Sequence, residues 1–344
     1  MSNMLERAWY SGAGWTIVLR PLASIFGFLS RRRRRRLQAS AVELACPVVI
    51  VGNIAVGGSG KTPLLLSLIE LCREANLNVG VVSRGYGGQA TQYPLEVTAV
   101  SDPRECGDEP ALIAQRTEVR VVVDPDRVRA AQHLLAHYPV DLILSDDGLQ
   151  HYRLARQFEI AVVDGTRGLG NGALLPEGPL RERADRLAEV DLVVINGAGR
   201  FDYPDAVRYT LAPGRLRNLK TGELREATPE ALGTAEVNAL AGIGHPQRFF
   251  DTLADLGFDA APTALADHAA IDVALLSRLS AKTLLMTEKD AVKCRATANE
   301  NCWALRVDAQ LDESAQQRIR ASLTALVKNK IGKPTWQSGE INGS

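Results

Sequence analysis

The sequence predicts an α/β protein built on a parallel sheet, with a second and smaller α/β domain. Three observations lead to this prediction. A β-branched run, Pro47 to Val51, ends in a glycine-rich turn that leads into a helical pattern. Short apolar runs separated by helical stretches then continue as far as Ile195, which is typical of strands covered on both faces. The same alternation resumes after residue 229.

Length and composition fit this architecture. A chain of 344 residues with 46% hydrophobic content can bury a large core in two domains. Lys and Arg number 40, as do Asp and Glu, so the overall charge predicts neither a nucleic-acid partner nor another polyanion. No obligate protein partner is predicted either. The five cysteines show no C-x-x-C spacing, which favours reduced thiols and a cytosolic compartment.

The chain divides into five predicted segments. They are an N-terminal arm (1–36), a P-loop nucleotide-binding domain (37–208), a polar hairpin-like linker (209–228), a smaller α/β domain (229–330) and a flexible tail (331–344). The linker prediction rests on its extended polar character and on a turn candidate at Thr221 and Gly222.

The N-terminal arm is predicted to be a membrane-associating helix. Its apolar stretch is interrupted by Arg20 and Pro21 and is followed by six arginines, Arg31 to Arg36. A spanning helix needs roughly 20 uninterrupted apolar residues, so a helix lying in the membrane interface fits better, held by about 1 kcal/mol for each arginine near anionic lipid. No export signal is expected. The alternatives are an ordinary first helix with a solvated charge run and an arginine block that binds nucleic acid.

The glycine-rich turn is predicted to bind a triphosphate. Backbone N–H groups and the positive end of the following helix form an anion cradle. Lys61 would reach the outer phosphates, and the Thr62 hydroxyl would coordinate Mg²⁺. The predicted nucleotide-binding positions of this loop are Ala55, Val56, Gly57, Gly58, Ser59, Gly60, Lys61 and Thr62. Ala55 stands where the general pattern has glycine, and the alternative is a loop that only turns the chain.

Polar residues that follow the predicted strands are the next candidates, because ligands bind outside the carboxyl ends of parallel strands. Asp146 and Asp147 end such a strand, and one of them is expected to face Mg²⁺; the alternative is a turn-forming pair. Asp108 opens a helix and could serve only as its N-cap. Arg181 and Glu182 end a Gly- and Pro-rich stretch that could place them against phosphate and metal, or could begin a surface helix.

The second domain contributes one candidate base. His268 stands before a predicted helix from Ile271 to Leu279, whose N-terminal field would favour the neutral imidazole. A purely structural histidine is the alternative. Further along, Thr287 to Asp290 are similar to a guanine-reading motif, but the lysine is displaced by one position. The residues therefore do not predict guanine.

Eight stretches between Val51 and Ala296 together resemble tetraacyldisaccharide 4'-kinase, the lipid A 4'-kinase of Gram-negative bacteria. They are VGNIAVGGSGKTP, VVSRGYGG, GDEPALIAQRT, SDDGLQHYRLAR, GNGALLPEGPLRER, GIGHPQRFF, LADH and MTEKDAVKCRA. The resemblance implies transfer of the γ-phosphate of ATP to the 4'-hydroxyl of a tetraacyldisaccharide 1-phosphate. The product would be the 1,4'-bisphosphate lipid IVA, made at the cytoplasmic face of the bacterial inner membrane.

The resemblance also implies roles for individual residues. Asp108 and His268 look like the family's catalytic pair, which Lys61 would assist. Tyr86 and Arg181 look like active-site contacts. Asp146 and Glu182 look like metal-side carboxylates, and the preference for adenine rests on the same resemblance. The rival hypothesis is a P-loop ATPase that acts as a nucleotide-dependent switch or targeting factor.

Overall fold

A computed structural model describes residues 2–331 of the chain. The helices are α1 (Ser2–Ser11), α2 (Arg20–Ala39), α3 (Lys61–Glu74), α4 (Pro103–Cys106), α5 (Asp108–Arg116), α6 (Arg127–His137), α7 (Pro229–Leu232), α8 (Pro246–Asp255), α9 (Val273–Leu279), α10 (Glu288–Cys294) and α11 (Glu313–Ile331). Two 3₁₀ helices span Gly14–Leu19 and Ala184–Ala188. The strands are β1 (Val48–Gly52), β2 (Val79–Ser83), β3 (Leu95–Val97), β4 (Arg120–Val123), β5 (Leu142–Asp146), β6 (Phe158–Asp164), β7 (Leu192–Asn196), β8 (Val207–Asn218), β9 (Leu224–Arg225), β10 (Glu236–Ala241), β11 (Asp259–Ala264), β12 (Leu284–Thr287) and β13 (Cys302–Leu311).

Within residues 2–331 the strands form one continuous sheet, in the order β11-β10-β12-β13-β8-β7-β6-β1-β5-β2-β4-β3. Pairing is parallel except at β3–β4, β8–β13 and β8–β9. The predicted α/β class with a parallel-dominated sheet is therefore confirmed. The crossover order places β1 beside β5, so Val51 pairs with Asp146.

The segment predicted as a linker joins the two halves of the sheet. Its first residues belong to β8, which pairs with β7 on one side and β13 on the other. Strand β9 then folds back on β8 through a turn in which Gly222 has φ +77°. The division of the chain into separate domains stays a prediction.

The core explains why the central strands are continuous apolar runs. Every residue of β1, β2, β5 and β7 is buried, because helices or loops cover both faces of the sheet. Helices α3, α5 and α11 pack on one face, and α6 with the segments around Leu149 and Leu180 packs on the other. This packing fixes the carboxyl ends of the strands at one edge, where the predicted site residues lie.

The N-terminal arm docks on the loop that carries Arg181 and Glu182. Trp9 donates its indole N–H to Pro176 O at 3.1 Å, and Arg20 pairs with Glu177 at 2.9 Å. Gly27 of α2 faces Leu174 so closely that a Cβ there would lie 2.6 Å from the leucine Cδ1. The arm is therefore packed against the protein and does not extend away from it.

The other side of the arm is apolar and exposed. The exposed large hydrophobic residues of the arm are Met4, Trp15, Ile17, Val18, Leu22, Ile25, Phe28 and Leu29. No single helix of residues 2–331 is long and apolar enough to cross a membrane, although Met4–Ser11 and Gly14–Ala39 meet the length and composition test as a pair bent by 108°. Membrane association of the arm stays a prediction.

The predicted flexible tail can be compared with the structure only at its first residue. The predicted tail lies outside the described residues except for Ile331, which ends α11. All five cysteines are buried and none forms a disulfide in the described part of the chain, as expected for core thiols.

Candidate active site

The phosphate loop lies between β1 and α3, and side chains of β7 and β8 hold it in place by hydrogen bonds. Gly60 has φ +84°, and a Cβ there would collide with the Tyr209 hydroxyl and the Asn196 amide. Tyr209 donates its hydroxyl proton to Gly60 O at 2.7 Å, and Asn196 donates to Ser59 O at 3.1 Å. The first turn of α3 has no side-chain cap and no acidic residue. Its N–H groups therefore suit an anion.

The Asp146–Asp147 pair lies beside this loop, and the two carboxylates differ. Asp147 Oδ1 is 3.3 Å from Lys61 Nζ, and Asp147 Oδ2 is 3.4 Å from Arg181 Nη1. Burial acts to raise the pKa of Asp147, but these two cations outweigh it and lower the pKa. Asp146 accepts from the Ser83 hydroxyl at 3.3 Å, and burial, with the charges of Asp147 and Glu109, raises its pKa to about 6.

Besides the phosphate loop and the Asp146–Asp147 pair, the site contains an Asp–His contact. This contact joins the two halves of the sheet. Gly107, at φ +91°, holds the N-cap position of α5, so the alternative that Asp108 is only the N-cap is wrong. The Asp108 carboxylate instead faces the His268 ring, with 3.1 Å between Oδ2 and Nδ1. The Tyr86 ring meets the imidazole edge-on at 5.3 Å between centroids. The pair is therefore already assembled in this structure.

The prediction that His268 lies in the field of a helix N-terminus is wrong. Helix α9 begins at Val273 with Asp272 as its N-cap, so His268 lies in the preceding loop, with φ +60°. The hydrogen bond to Asp108 raises the pKa of His268, against the opposing effects of burial and Lys289. The electrostatic state of this imidazole is thus set by its neighbours in space.

A family model described as Tetraacyldisaccharide-1-P 4'-kinase matches residues 15–324 of the chain. The protein belongs to this family. The tetraacyldisaccharide 4'-kinase of Azotobacter vinelandii is 51% identical over 330 residues, covering 95% of this chain and 98% of that protein. The tetraacyldisaccharide 4'-kinase of Pseudomonas putida (strain W619) is 48% identical over 312 residues, covering 90% and 92%. A solved structure of LpxK from Aquifex aeolicus, described as a complex with ATP, shares the fold with a TM-score of 0.74 at 24% identity, covering 91% of this chain and 99% of that chain.

The tetraacyldisaccharide 4'-kinase resemblance placed Arg181 and Glu182 in the site, and the structure brings their loop to the P-loop. Arg181 N donates to Ile54 O at 2.7 Å, and Val56 N donates to Pro179 O at 2.9 Å. Both Glu182 oxygens accept from protein donors, Oε1 from Gln150 Nε2 at 2.7 Å and Oε2 from the Tyr152 hydroxyl. Its role on the metal side stays a prediction.

Apart from Glu182, the oxygen donors next to the phosphate loop suit the Mg²⁺ ion that accompanies ATP in a kinase. No group of three or more His, Cys, Asp or Glu side chains in the described part of the chain forms a metal cluster. Magnesium with a nucleotide does not need one, because phosphates and waters supply most of its ligands. Thr62, Asp146 and Asp147 are a suitable donor set at the loop, and the only partner of Asp147 Oδ1 among the described residues is the Lys61 ammonium at 3.3 Å.

Several site residues were not predicted from the sequence. Arg127 is 3% exposed and donates to Asp146 O at 3.0 Å, and burial lowers its pKa to about 10. It follows the carboxyl end of β4, so the strand-end rule that selected Asp146 could also have found it. Asn196 is the last residue of β7, so the same rule could have found it as well. Tyr209 lies inside β8 and gave no local signal, because its contact to the loop depends on the order of the strands.

Proposed function

We propose that this protein transfers the γ-phosphoryl group of ATP to the 4'-hydroxyl of a tetraacyldisaccharide 1-phosphate, giving the 1,4'-bisphosphate. Family membership over residues 15–324 supports the acceptor. The observation that supports the chemistry is the 3.1 Å contact between Asp108 and His268, which orients a candidate base. Its neighbour Asp267 and Gly58 of the P-loop both lie within 4 Å of the Cβ position of Gly244. A base aimed at a hydroxyl is what a kinase needs, and the switch alternative is not favoured.

The P-loop residues bind the triphosphate and position it. The N–H groups from Gly57 to Lys61 and the Lys61 ammonium hold the phosphates, with Arg181 close to Lys61 through their shared partner Asp147. Thr62 and one or both of Asp146 and Asp147 would hold Mg²⁺, which neutralises charge on the phosphate oxygens when bound. Glu182 is the further carboxylate proposed for the metal side.

The Asp108–His268 pair handles the proton. His268 takes the proton of the attacking hydroxyl as the new O–P bond forms and the bond to the ADP oxygen breaks. Asp108 accepts the Nδ1–H bond and orients the ring. The Tyr86 ring is 65% exposed beside His268, so it can contact the sugar of the acceptor. Positioning and charge neutralisation supply most of the acceleration, because the transition state is loose.

We also propose that the arm seats the enzyme on the cytoplasmic face of the inner membrane, where the acylated acceptor resides. The exposed apolar side of α2 and the exposed side chains of Arg31, Arg32, Arg33, Arg35 and Arg36 support this placement. Arg34 is different, because it pairs with Glu189 and stacks on the Tyr152 ring.

The proposal is tested by incubating the full-length protein with γ-labelled ATP and purified tetraacyldisaccharide 1-phosphate in detergent, then separating the lipids by chromatography. We expect label in a bisphosphorylated lipid. Lys61→Ala should lower the transfer rate more than His268→Ala, whose loss of a base is worth roughly 10² to 10⁴-fold. Lys282→Ala, at an exposed position, is the control. Release of labelled phosphate with no labelled lipid would contradict the proposal, as would wild-type rates in both site variants.

A further inference from the structure

The segment from Thr287 to Asp290, which is similar to a base-reading motif, has a different task in this fold. Thr287 caps α10 by accepting from Asp290 N at 3.2 Å, and its hydroxyl donates to Asp290 Oδ2 at 2.6 Å. The same carboxylate oxygen accepts from Gly242 N at 2.8 Å. The motif thus builds the start of α10 and turns the side chain of Lys289 toward the catalytic pair.

Lys289 lies at the centre of a charged cluster. Its ammonium nitrogen is 2.8 Å from Glu109 Oε1, 3.0 Å from Asp267 Oδ1 and 3.1 Å from His268 Nε2. The side chain is 18% exposed. It therefore contacts the imidazole nitrogen opposite to the one that faces Asp108.

These two contacts assign the protonation of the imidazole. A carboxylate group only accepts, so Nδ1 carries the hydrogen that faces Asp108. An ammonium group only donates, so Nε2 offers its lone pair to Lys289. A hydrogen on Nε2 would point at the ammonium hydrogens and would be repelled. The geometry is that of a neutral histidine whose unprotonated nitrogen, Nε2, lies on the side away from Asp108.

We infer that Lys289 is a positioning residue of the phosphoryl transfer, which fixes His268 in this neutral tautomer and keeps the Nε2 lone pair free of a proton until the acceptor hydroxyl arrives. The inference rests on the proposed role of the Asp108–His268 pair. Glu109 and Asp267 hold the ammonium on the other side, so it can release Nε2 to the hydroxyl without losing its ion pairs. After transfer, the same ammonium favours release of the proton from the imidazolium.

The charges around His268 show why the neutral imidazole depends on Lys289. His268 is faced by Asp108 and Glu109 from α5, by Asp267 from its own loop, by Lys289 from α10 and by the uncharged Tyr86 ring. Lys293 lies 3.5 Å from Asp108 Oδ2. Without Lys289, three carboxylates would face the ring with only Lys293 to balance them, and the imidazolium would be favoured.

The experiment compares the full-length wild type with Lys289→Met, which keeps the length of the side chain and removes its charge. Lipid phosphorylation is measured across pH, and the His268 ring is titrated by NMR of ¹⁵N-histidine-labelled protein without ligands. We expect the His268 pKa and the acidic limb of kcat/KM to rise together by about one pH unit, with KM for ATP unchanged. Lys289→Arg should retain the wild-type limb, and Lys282→Met is the matched control.

A second variant distinguishes an effect of charge from an effect of misfolding. Glu109→Gln combined with Lys289→Met removes one carboxylate as well as the ammonium, so the limb should return toward the wild-type pH. An unchanged His268 titration in folded Lys289→Met protein would overturn the inference. Failure of the proposed function gives a different result, because either the wild type would transfer no label to the lipid or Lys61→Ala and His268→Ala would both keep the wild-type transfer rate, whatever the titration shows.

Discussion

At the scale of single residues, the chemistry depends on where His268 is held. Its backbone φ of +60° is uncommon for a residue with a side chain, and the loop maintains it next to α5 and α10. The neighbouring carboxylate in sequence, Asp267, lies on the Nε2 side of the ring, at 3.8 Å, and not on the Nδ1 side. The hydrogen bond that raises the pKa of this histidine comes from Asp108, in the other half of the sheet.

The pH dependence of transfer follows from this contact. A base works only when unprotonated, and because Asp108 raises the pKa of His268, activity should fall as the pH drops through a value above the ordinary histidine pKa. Asp108→Asn should move this acidic limb to lower pH, and it should also lower the plateau rate because the ring is no longer oriented. The measurement is kcat/KM for the lipid acceptor from pH 5 to 9, in steps of about half a unit.

Asp259→Asn is the matched control, because Asp259 is exposed on the edge strand β11. Its profile should coincide with that of the wild type. An acidic limb that stays in place in Asp108→Asn would contradict the assignment of His268 as the titrating base.

At the scale of elements, α5 is fastened to α10 at both ends. At its start, Asp108 and Glu109 meet Lys293 and Lys289. In its last turn, Arg116 pairs with Glu288 at 2.7 Å, with both side chains largely buried. A short helix of nine residues would be marginal alone, so these ion pairs fix the position of Asp108.

Arg116→Ala should therefore destabilise the protein, because it leaves the buried Glu288 carboxylate without its cation. Breaking such a pair costs about 3–5 kcal/mol. Chemical denaturation should show this loss, and transfer activity should fall because Asp108 shifts relative to His268. Arg104→Ala removes an exposed ion pair with Asp102 and serves as the control, with an expected change within about 1 kcal/mol. Equal stability of the two variants would contradict the fastening of α5 to α10.

The arm is the second element with a separable role. Leu22→Ser with Phe28→Ser removes apolar surface from its exposed side and leaves its docking contacts intact. We expect weaker binding to anionic vesicles in a sedimentation assay. Val100→Ser with Val273→Ser changes exposed hydrophobic residues elsewhere and should bind as the wild type does. Unchanged vesicle binding of the arm variant would contradict an anchoring role.

Deletion of residues 1–36 is a harsher test of the same element. It should release the protein from membrane pellets. It should also slow transfer to a detergent-solubilised acceptor, because Trp9, Arg20 and Gly27 pack on the loop that carries Arg181 and Glu182. A truncated protein that still sediments with membranes at high salt would show that another surface is the anchor.

At the scale of the whole molecule, the sheet is what assembles the site. Strand β8 pairs with β7 through its first residues and with β13 along most of its length, so the two halves form a single sheet. Arg248 of α8 also reaches Asp164 at the end of β6, at 2.8 Å. These connections bring a loop near residue 268 to a helix that begins at residue 108.

The sequence by itself determined the chemistry of the phosphate loop and the type of fold, because both depend on local patterns. Seventeen residues are enough to recognise the phosphate loop, from its β-branched strand, its glycines and Lys61-Thr62. The pattern of strands needs only a few residues more. Only the tertiary structure decided that His268 is paired with Asp108 and Lys289, and that Asn196 and Tyr209 brace the loop. Those contacts join residues 21 to 160 positions apart. The physical reason is that the strand order of the folded sheet, which no local pattern encodes, sets which loops meet at its edge.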